Sequence, residues 1–180
     1  MSKKTCLVTV FTLLFCLCSS QAFAKKPHIS DPDSLGLGVG IGALAYGFGA
    51  KYYFSPDSSI QGNMGVQPTQ SRAVNGSLFA IGADYLFEFG PISSANNIDL
   101  TLGIGPGLAT AVSTLGYVAF DVNACFSFQI LFHELPLDFA LEYRPAIRFK
   151  SAALYNEPGR LVYAPDSFGI QMRYYLFDRW

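Results

Sequence analysis

The sequence predicts an all-β fold, an eight-stranded antiparallel up-and-down transmembrane β-barrel, and three observations predict it. Large apolar side chains alternate with small or polar ones at a period of two, which belongs to strands and not to helices. Clusters of Gly, Pro, Asn, Asp and Ser separate the alternating runs. Charged residues make up only 14% of the 180 residues while aromatics reach 15%, where an ordinary soluble domain carries about 25% charge. So few charges cover a water-facing shell poorly.

The first residues have a different logic. Lys3 and Lys4 precede an uncharged apolar run from Cys6 to Cys18, and Ala22-Phe23-Ala24 follows. That order predicts a secretory signal peptide cleaved after Ala24. A lipid on Cys16 or Cys18 is the weaker reading, because Phe15 and Leu17 stand where a lipoprotein site has Gly or Ala. Cleavage would leave 156 residues, one domain's worth. The exported chain would keep Cys125 alone, which excludes an internal disulfide or a Cys-based metal site. It would carry ten basic and thirteen acidic residues, a net charge of −3 with no basic block, so nucleic acid is an improbable partner.

Residues 25–34, with two prolines and no periodicity, read as a short lead-in, and residues 35–180 as the barrel. In the first strand Leu35, Leu37, Val39 and Ile41 alternate with glycines, a pattern that serves a helix badly. Residues 35–50 are uncharged but fall short of the roughly 20 apolar residues of a spanning helix. The apolar parity flips after Ala43, as a tight hairpin would make it, and Tyr46, Phe48, Ala50, Tyr52 and Phe54 form the second strand.

Ser55-Pro56-Asp57-Ser58 turns the chain into a third strand marked by Ile60, Gly62, Met64 and Val66. A loop is expected at 67–76, and Phe79, Ile81, Tyr85 and Phe87 mark a fourth strand, followed by a turn at 90–97. Ile98, Leu100, Leu102 and Ile104 mark the fifth and, after a loop expected at 109–116, Val118 through Ile130 the sixth. His133-Glu134-Leu135-Pro136 leads into a seventh with Leu137, Phe139, Leu141, Tyr143 and Ile147. After the longest connection, 151–166, Phe168, Ile170, Met172, Tyr174 and Leu176 make the eighth. Each is near the roughly 9 to 11 residues that a tilted strand needs to cross a bilayer. Pro106 and Pro145 interrupt two of these patterns and are expected at bulges or strand ends.

Size decides which face points in. Rows of Phe and Tyr are too bulky for the bore of eight strands, whereas Gly, Ser, Thr, Asn and a few charges can pack there. The lumen is therefore expected to hold Lys51, Asp84, Glu88, Asp99, Asp121, Asp138, Glu142, Arg144, Arg148 and Arg173. Arg144, Arg148 and Arg173 are expected to bridge to some of these acids, since an isolated charge there costs several kcal/mol, roughly. Aromatics near the strand ends, Tyr52, Tyr53, Phe54, Phe87, Phe89, Phe132, Tyr174, Tyr175 and Phe177, would form one girdle on the side of the termini.

The segment from Phe168 to Phe177 with Trp180 resembles the closing strand of bacterial outer-membrane barrels, with Asp178-Arg179-Trp180 extending past the usual terminal aromatic. Through "YGFGAKYYFSPDSSIQ", "IGADYLFEF", "IDLTLGIGPGL", "FSFQILFHELPLDFALEYRPAIRF" and "FGIQMRYYLF" the chain is similar to a family of small outer-membrane barrels of unassigned role, of the OmpA/OmpX architecture. The resemblance implies the fold, the outer membrane as location, its lipid as surroundings, and the barrel assembly machinery as a partner reading the C-terminal strand.

No catalytic, cofactor-binding or metal-binding residues are expected. His28 and His133 lie in the lead-in and in a turn, and neither GxSxG nor His-rich metal spacing occurs. That counts against a lipid hydrolase or acyltransferase, which needs a base beside its nucleophile. The leading expectation is a non-enzymatic barrel with a structural, adhesive or interaction role, contacting partners through outward loops 67–76, 109–116 and 151–166. Tyr155, Asn156, Arg160 and Tyr163 of the longest loop are the candidate contacts. A narrow passive pore and a soluble lipocalin-like binder of apolar ligands are the alternatives.

Overall fold

The computed structural model describes residues 32–42, 46–68, 77–95, 97–113, 118–132, 134–150, 160–164 and 167–176. Their regular structure is entirely β. The segments are β1 (Leu35–Gly42), β2 (Tyr46–Ser55), β3 (Ser58–Pro68), β4 (Ser77–Ala95), β5 (Ile98–Ser113), β6 (Val118–Phe132), β7 (Leu137–Tyr143), β8 (Ala146–Lys150), β9 (Arg160–Ala164) and β10 (Phe168–Leu176). β7 and β8 both pair with β6 and are two halves of one strand interrupted at Arg144-Pro145. β9 and β10 pair with those two halves in turn and make up the eighth strand. Ten segments thus form eight antiparallel strands, and the pairings β1–β10 and β5–β6 close them into an up-and-down barrel.

The stagger can be read from the register. From Gly40, hydrogen-bonded neighbours run through Gly47, Gly65, Ala80 and Ala111 to Ala119 of β6. In the other direction they run through Gln171 and Ala140 to Gln129. The two arrivals on β6 lie ten residues apart, and such a shear tilts the strands by roughly 35–45° in a barrel of this size. Both chain ends of the barrel lie together, since Leu35 pairs with Leu176. The tight turns at 56–57 and 134–136 and the turn residue Asn97 share that end, and Asn97 Nδ2 donates to Glu134 Oε1 across it at 2.9 Å. Asn97 has φ 66°, a left-handed conformation that Asn tolerates in turns.

Several connections are shorter than the sequence predicts. The expected turn at 90–97 is mostly strand: β4 continues to Ala95, and a shift between Phe89 and Ser93 absorbs Gly90 and Pro91. β5 runs to Ser113 and β3 to Pro68, so the loops begin later. Residues 109–113 alternate in and out as strictly as the rest, but their side chains are mostly too small to mark a strand by hydrophobicity. Arg160–Ala164 is strand where a loop was expected, with Tyr163 on the outer wall. Pro145 lies at the strand interruption as expected. Pro106 does not: it sits within β5, paired with Ala124, and only the ladder toward β4 lapses beside it. The missing N–H of proline is tolerated where no ladder bond is made. The parity flip at 43–45, His28, His133, Tyr155, Asn156, Phe177, Trp180 and the signal segment 1–24 lie outside the described residues.

Glycines let the wall curve tightly. A Cβ built on Gly38 would collide with the backbone oxygen of Met172 and come within 2.7 Å of Arg173 Cα on the adjoining strand. Gly42, at the end of β1, combines φ 121° with backbone contacts against Phe168 and Gly169 that leave no room for a side chain. Replacing Gly38 by Val should lower the stability of the folded barrel by about 1–3 kcal/mol, as overpacking does. Ala in place of Gly90, where nothing lies within 4 Å, should stay within about 0.5 kcal/mol of wild type. Equilibrium unfolding in denaturant measures both.

Candidate functional site: the charged lumen

Alternation places every second side chain in the bore. Lys51, Asp84, Asp138, Glu142, Arg144 and Arg173 are at most 2% exposed, with Glu88 at 7% and Asp99 at 6%. The large apolar side chains stand on the other face, among them Phe48, Phe79, Phe87, Leu108 and Phe168, each more than half exposed. The molecule is apolar outside and ionic inside.

Geometry links most of the predicted lumen residues. Lys51 Nζ lies 2.6 Å from Glu88 Oε1 and donates to Gln129 Oε1 at 2.7 Å. Ser59 Oγ and Gln129 Nε2 also donate to the Glu88 carboxylate, at 2.5 and 3.0 Å. Arg144 sends Nε and Nη2 to Asp84 Oδ2 at 3.0 and 2.9 Å, and its Nη1 lies 2.6 Å from Glu142 Oε2. Arg173 Nε reaches both oxygens of Asp138 at 3.0 and 3.1 Å, while Nη1 donates to Gln61 Oε1 at 2.9 Å. Arg173 Nη1 is also 3.8 Å from Glu142 Oε1, so Glu142 lies between two guanidiniums.

Nearer the loop end, Arg148 and Asp121 form a two-pronged pair at 2.7 and 2.6 Å on directly opposed positions of β8 and β6. Their side chains keep 20% and 13% exposure. Asp99 also faces the lumen, 6% exposed.

These contacts cross the bore. Lys51 on the second strand and Gln129 on the sixth stand diametrically opposite in an eight-strand ring, and one hydrogen bond spans them. The lumen is filled with side chains, as expected of eight strands. Energetically such pairs are two-sided. Their mutual attraction roughly offsets the cost of removing them from water, yet loss of one partner leaves an uncompensated charge at about 3–5 kcal/mol.

Two residues assigned to the outer girdle belong here instead. Tyr53 and Tyr175 are 1% and 0% exposed and pack inside with Leu131. A period of two sends neighbours to opposite faces, so Tyr52 and Tyr174 look outward while Tyr53 and Tyr175 cannot. Tyr175 Oη donates to Asp138 Oδ2 at 2.8 Å, and Lys51 Nζ sits 4.7 Å above the Tyr53 ring. The uncharged bridging groups Ser59, Gln61 and Gln129 were also missed as members of the network, although parity alone puts them in the bore. Outside, Tyr52, Phe54, Tyr85 and Phe87 do form a chain of ring contacts at 5.1 to 6.3 Å. Cys125 is buried in the lumen and accepts from Gln61 Nε2 at 3.4 Å.

Arg173→Met should destabilise the fold by about 3–5 kcal/mol, because Asp138 loses its cation in a water-poor bore. Lys51→Met should behave likewise, whereas Lys51→Met combined with Glu88→Gln should recover most of the loss. A double-mutant cycle on unfolding free energies reads this coupling. Compared with family models, curated proteins and solved structures, the chain finds no match.

Proposed function

We propose that this chain is exported and resides in the outer membrane as a transmembrane barrel. Its role is structural or one of surface contact, with no catalytic chemistry of its own. The observation that carries this reading is the inverted polarity: a buried ionic lumen inside a wall whose large exposed side chains are Phe, Tyr, Leu, Ile, Val and Met. In a soluble barrel the apolar face fills the interior and the charges meet water. An outward apolar band with aromatic ends is the arrangement that lipid stabilises. A groove of about 860 Å³ along the outer wall, in which the small residues Ala50, Gly62 and Ala83 adjoin the larger Phe48, Met64 and Ile81, adds a mainly apolar relief suited to acyl chains.

On this reading the signal segment directs export, and the assembly machinery takes up the C-terminal strand. The loops at the end opposite the termini face outward and make any contact. Arg160 and Tyr163 then belong to the wall below the longest loop, which leaves contact to 151–159. A passive pore is the poorer alternative, because the Lys51 to Gln129 and Arg144 to Asp84 contacts span the bore.

Fractionation tests the location. The protein should enter the outer-membrane fraction, resist carbonate extraction, and migrate differently on gels before and after boiling; recovery as a soluble periplasmic protein would refute the reading. Leu108→Arg on the outer wall should cost up to about 2–4 kcal/mol in lipid, falling toward zero the closer the site lies to the interface. A water-facing wall would accept it within about 0.5 kcal/mol. Deleting 151–159 should leave the barrel folded and abolish surface contact if that loop carries it.

A further inference from the structure

The sealed part of the lumen is not balanced within itself. Among the described residues it holds three linked bases, Lys51, Arg144 and Arg173, against four linked acids, Asp84, Glu88, Asp138 and Glu142. An excess carboxylate in a bore of low dielectric takes up a proton or a cation.

One place in the bore has the oxygens for a cation. Asp84 receives Arg144 Nε, Arg144 Nη2 and Gln61 Nε2 all on Oδ2, which leaves Oδ1 turned away with no hydrogen bond. Asn123, 7% exposed, also has its Oδ1 buried without a partner. Both oxygens converge over Gly107, which is paired with Asp84 on one side and Asn123 on the other. A Cβ on Gly107 would collide with both of them. A carboxylate oxygen and an amide oxygen, both unpaired and sharing one spot, repel each other unless positive charge lies between them.

We propose that Asp84 Oδ1 and Asn123 Oδ1 bind a hard monovalent cation, Na⁺ or K⁺, which neutralises the excess negative charge of this sealed part. Among the described residues no three His, Cys, Asp or Glu side chains converge as a metal's ligand set, and one carboxylate with one amide oxygen suits an alkali ion that keeps some of its water. The layers above it are lined on the first six strands mainly by small residues, Gly38, Gly49, Gly82 and Ala109, then Gly40, Gly47, Gly65, Ala80 and Ala111, with Asn63 among them accepting from Gln171 Nε2 at 2.7 Å. Toward the termini the bore is closed by Tyr53, Tyr175 and Leu131. The inference rests on the lumen's geometry and holds wherever the barrel resides.

The test is thermal unfolding of the protein purified in detergent, at constant ionic strength, with choline chloride progressively replaced by NaCl or KCl. The midpoint should rise saturably, by roughly 3–6 °C at tenfold the half-saturating concentration. Asn123→Leu should fold and lose that response. Asn123→Asp, with two carboxylates at the spot, should bind more tightly and acquire a response to Ca²⁺ at constant ionic strength. Three results would overturn the proposal. A rise that choline matches would be screening alone, and a rise that survives in Asn123→Leu would place the ion elsewhere. A wild-type protein indifferent to alkali ions would mean that the Asn123 amide is turned to donate to Asp84 directly.

Discussion

Three cations and four carboxylates packed into a bore barely wide enough for them set the terms for the rest of this molecule. A charge in such a space is tolerated only when its partners are fixed, and fixing them requires every strand to hold its register. Lys51, Arg144 and Arg173 each reach a strand beyond their immediate neighbours. The network therefore ties the wall together across its diameter, where the ladder hydrogen bonds tie it only around the circumference. A slip of one residue in any strand would turn its ionic members outward and its aromatic members into a bore with no room for them.

The wall is adapted to that interior. Small residues dominate the lumen lining toward the loop end, and the long polar side chains collect toward the termini, so the bore is sealed at one end and lined mostly by small side chains at the other. The glycines of β1 serve the same economy, since Gly38 and Gly42 bring the eighth strand closer than any side chain allows. Tyr53 and Tyr175 close the terminus side with rings and spend their hydroxyls on Gln129 and Asp138. They thereby avoid the buried unpaired hydroxyl that a wholly apolar plug of tyrosine would leave.

Polarity inside out is the link from structure to role. On the proposed reading the exposed Phe, Ile, Leu and Val of the wall meet lipid, while the bore is crossed by ion pairs and hydrogen bonds. What remains for chemistry with other molecules is the loop end and the lumen beneath it, which is where the proposed surface contact and the proposed cation site both lie.

The sequence by itself determined the number of strands, their direction and the face each residue takes, because a strand's side chains alternate whatever its neighbours are. Lys51, Asp84, Glu88, Asp138, Glu142, Arg144 and Arg173 were legible as lumen residues on that ground alone. Parity, followed strictly, would also have moved Tyr53 and Tyr175 inside, where clustering of aromatics suggested otherwise. Strand ends were harder, since Gly90, Pro91, Ser93 and Ser94 are turn-type residues lying within a strand, and the side chains of 109–113 are mostly too small to mark one by hydrophobicity. Which base meets which acid was decided only by the tertiary structure. Those partners stand 60 residues apart for Arg144 and Asp84 and 35 for Arg173 and Asp138, and they meet only once a ten-residue shear sets the height of each strand. The convergence of Asp84 and Asn123 over Gly107 is of the same kind, a product of register on three neighbouring strands that no local pattern encodes.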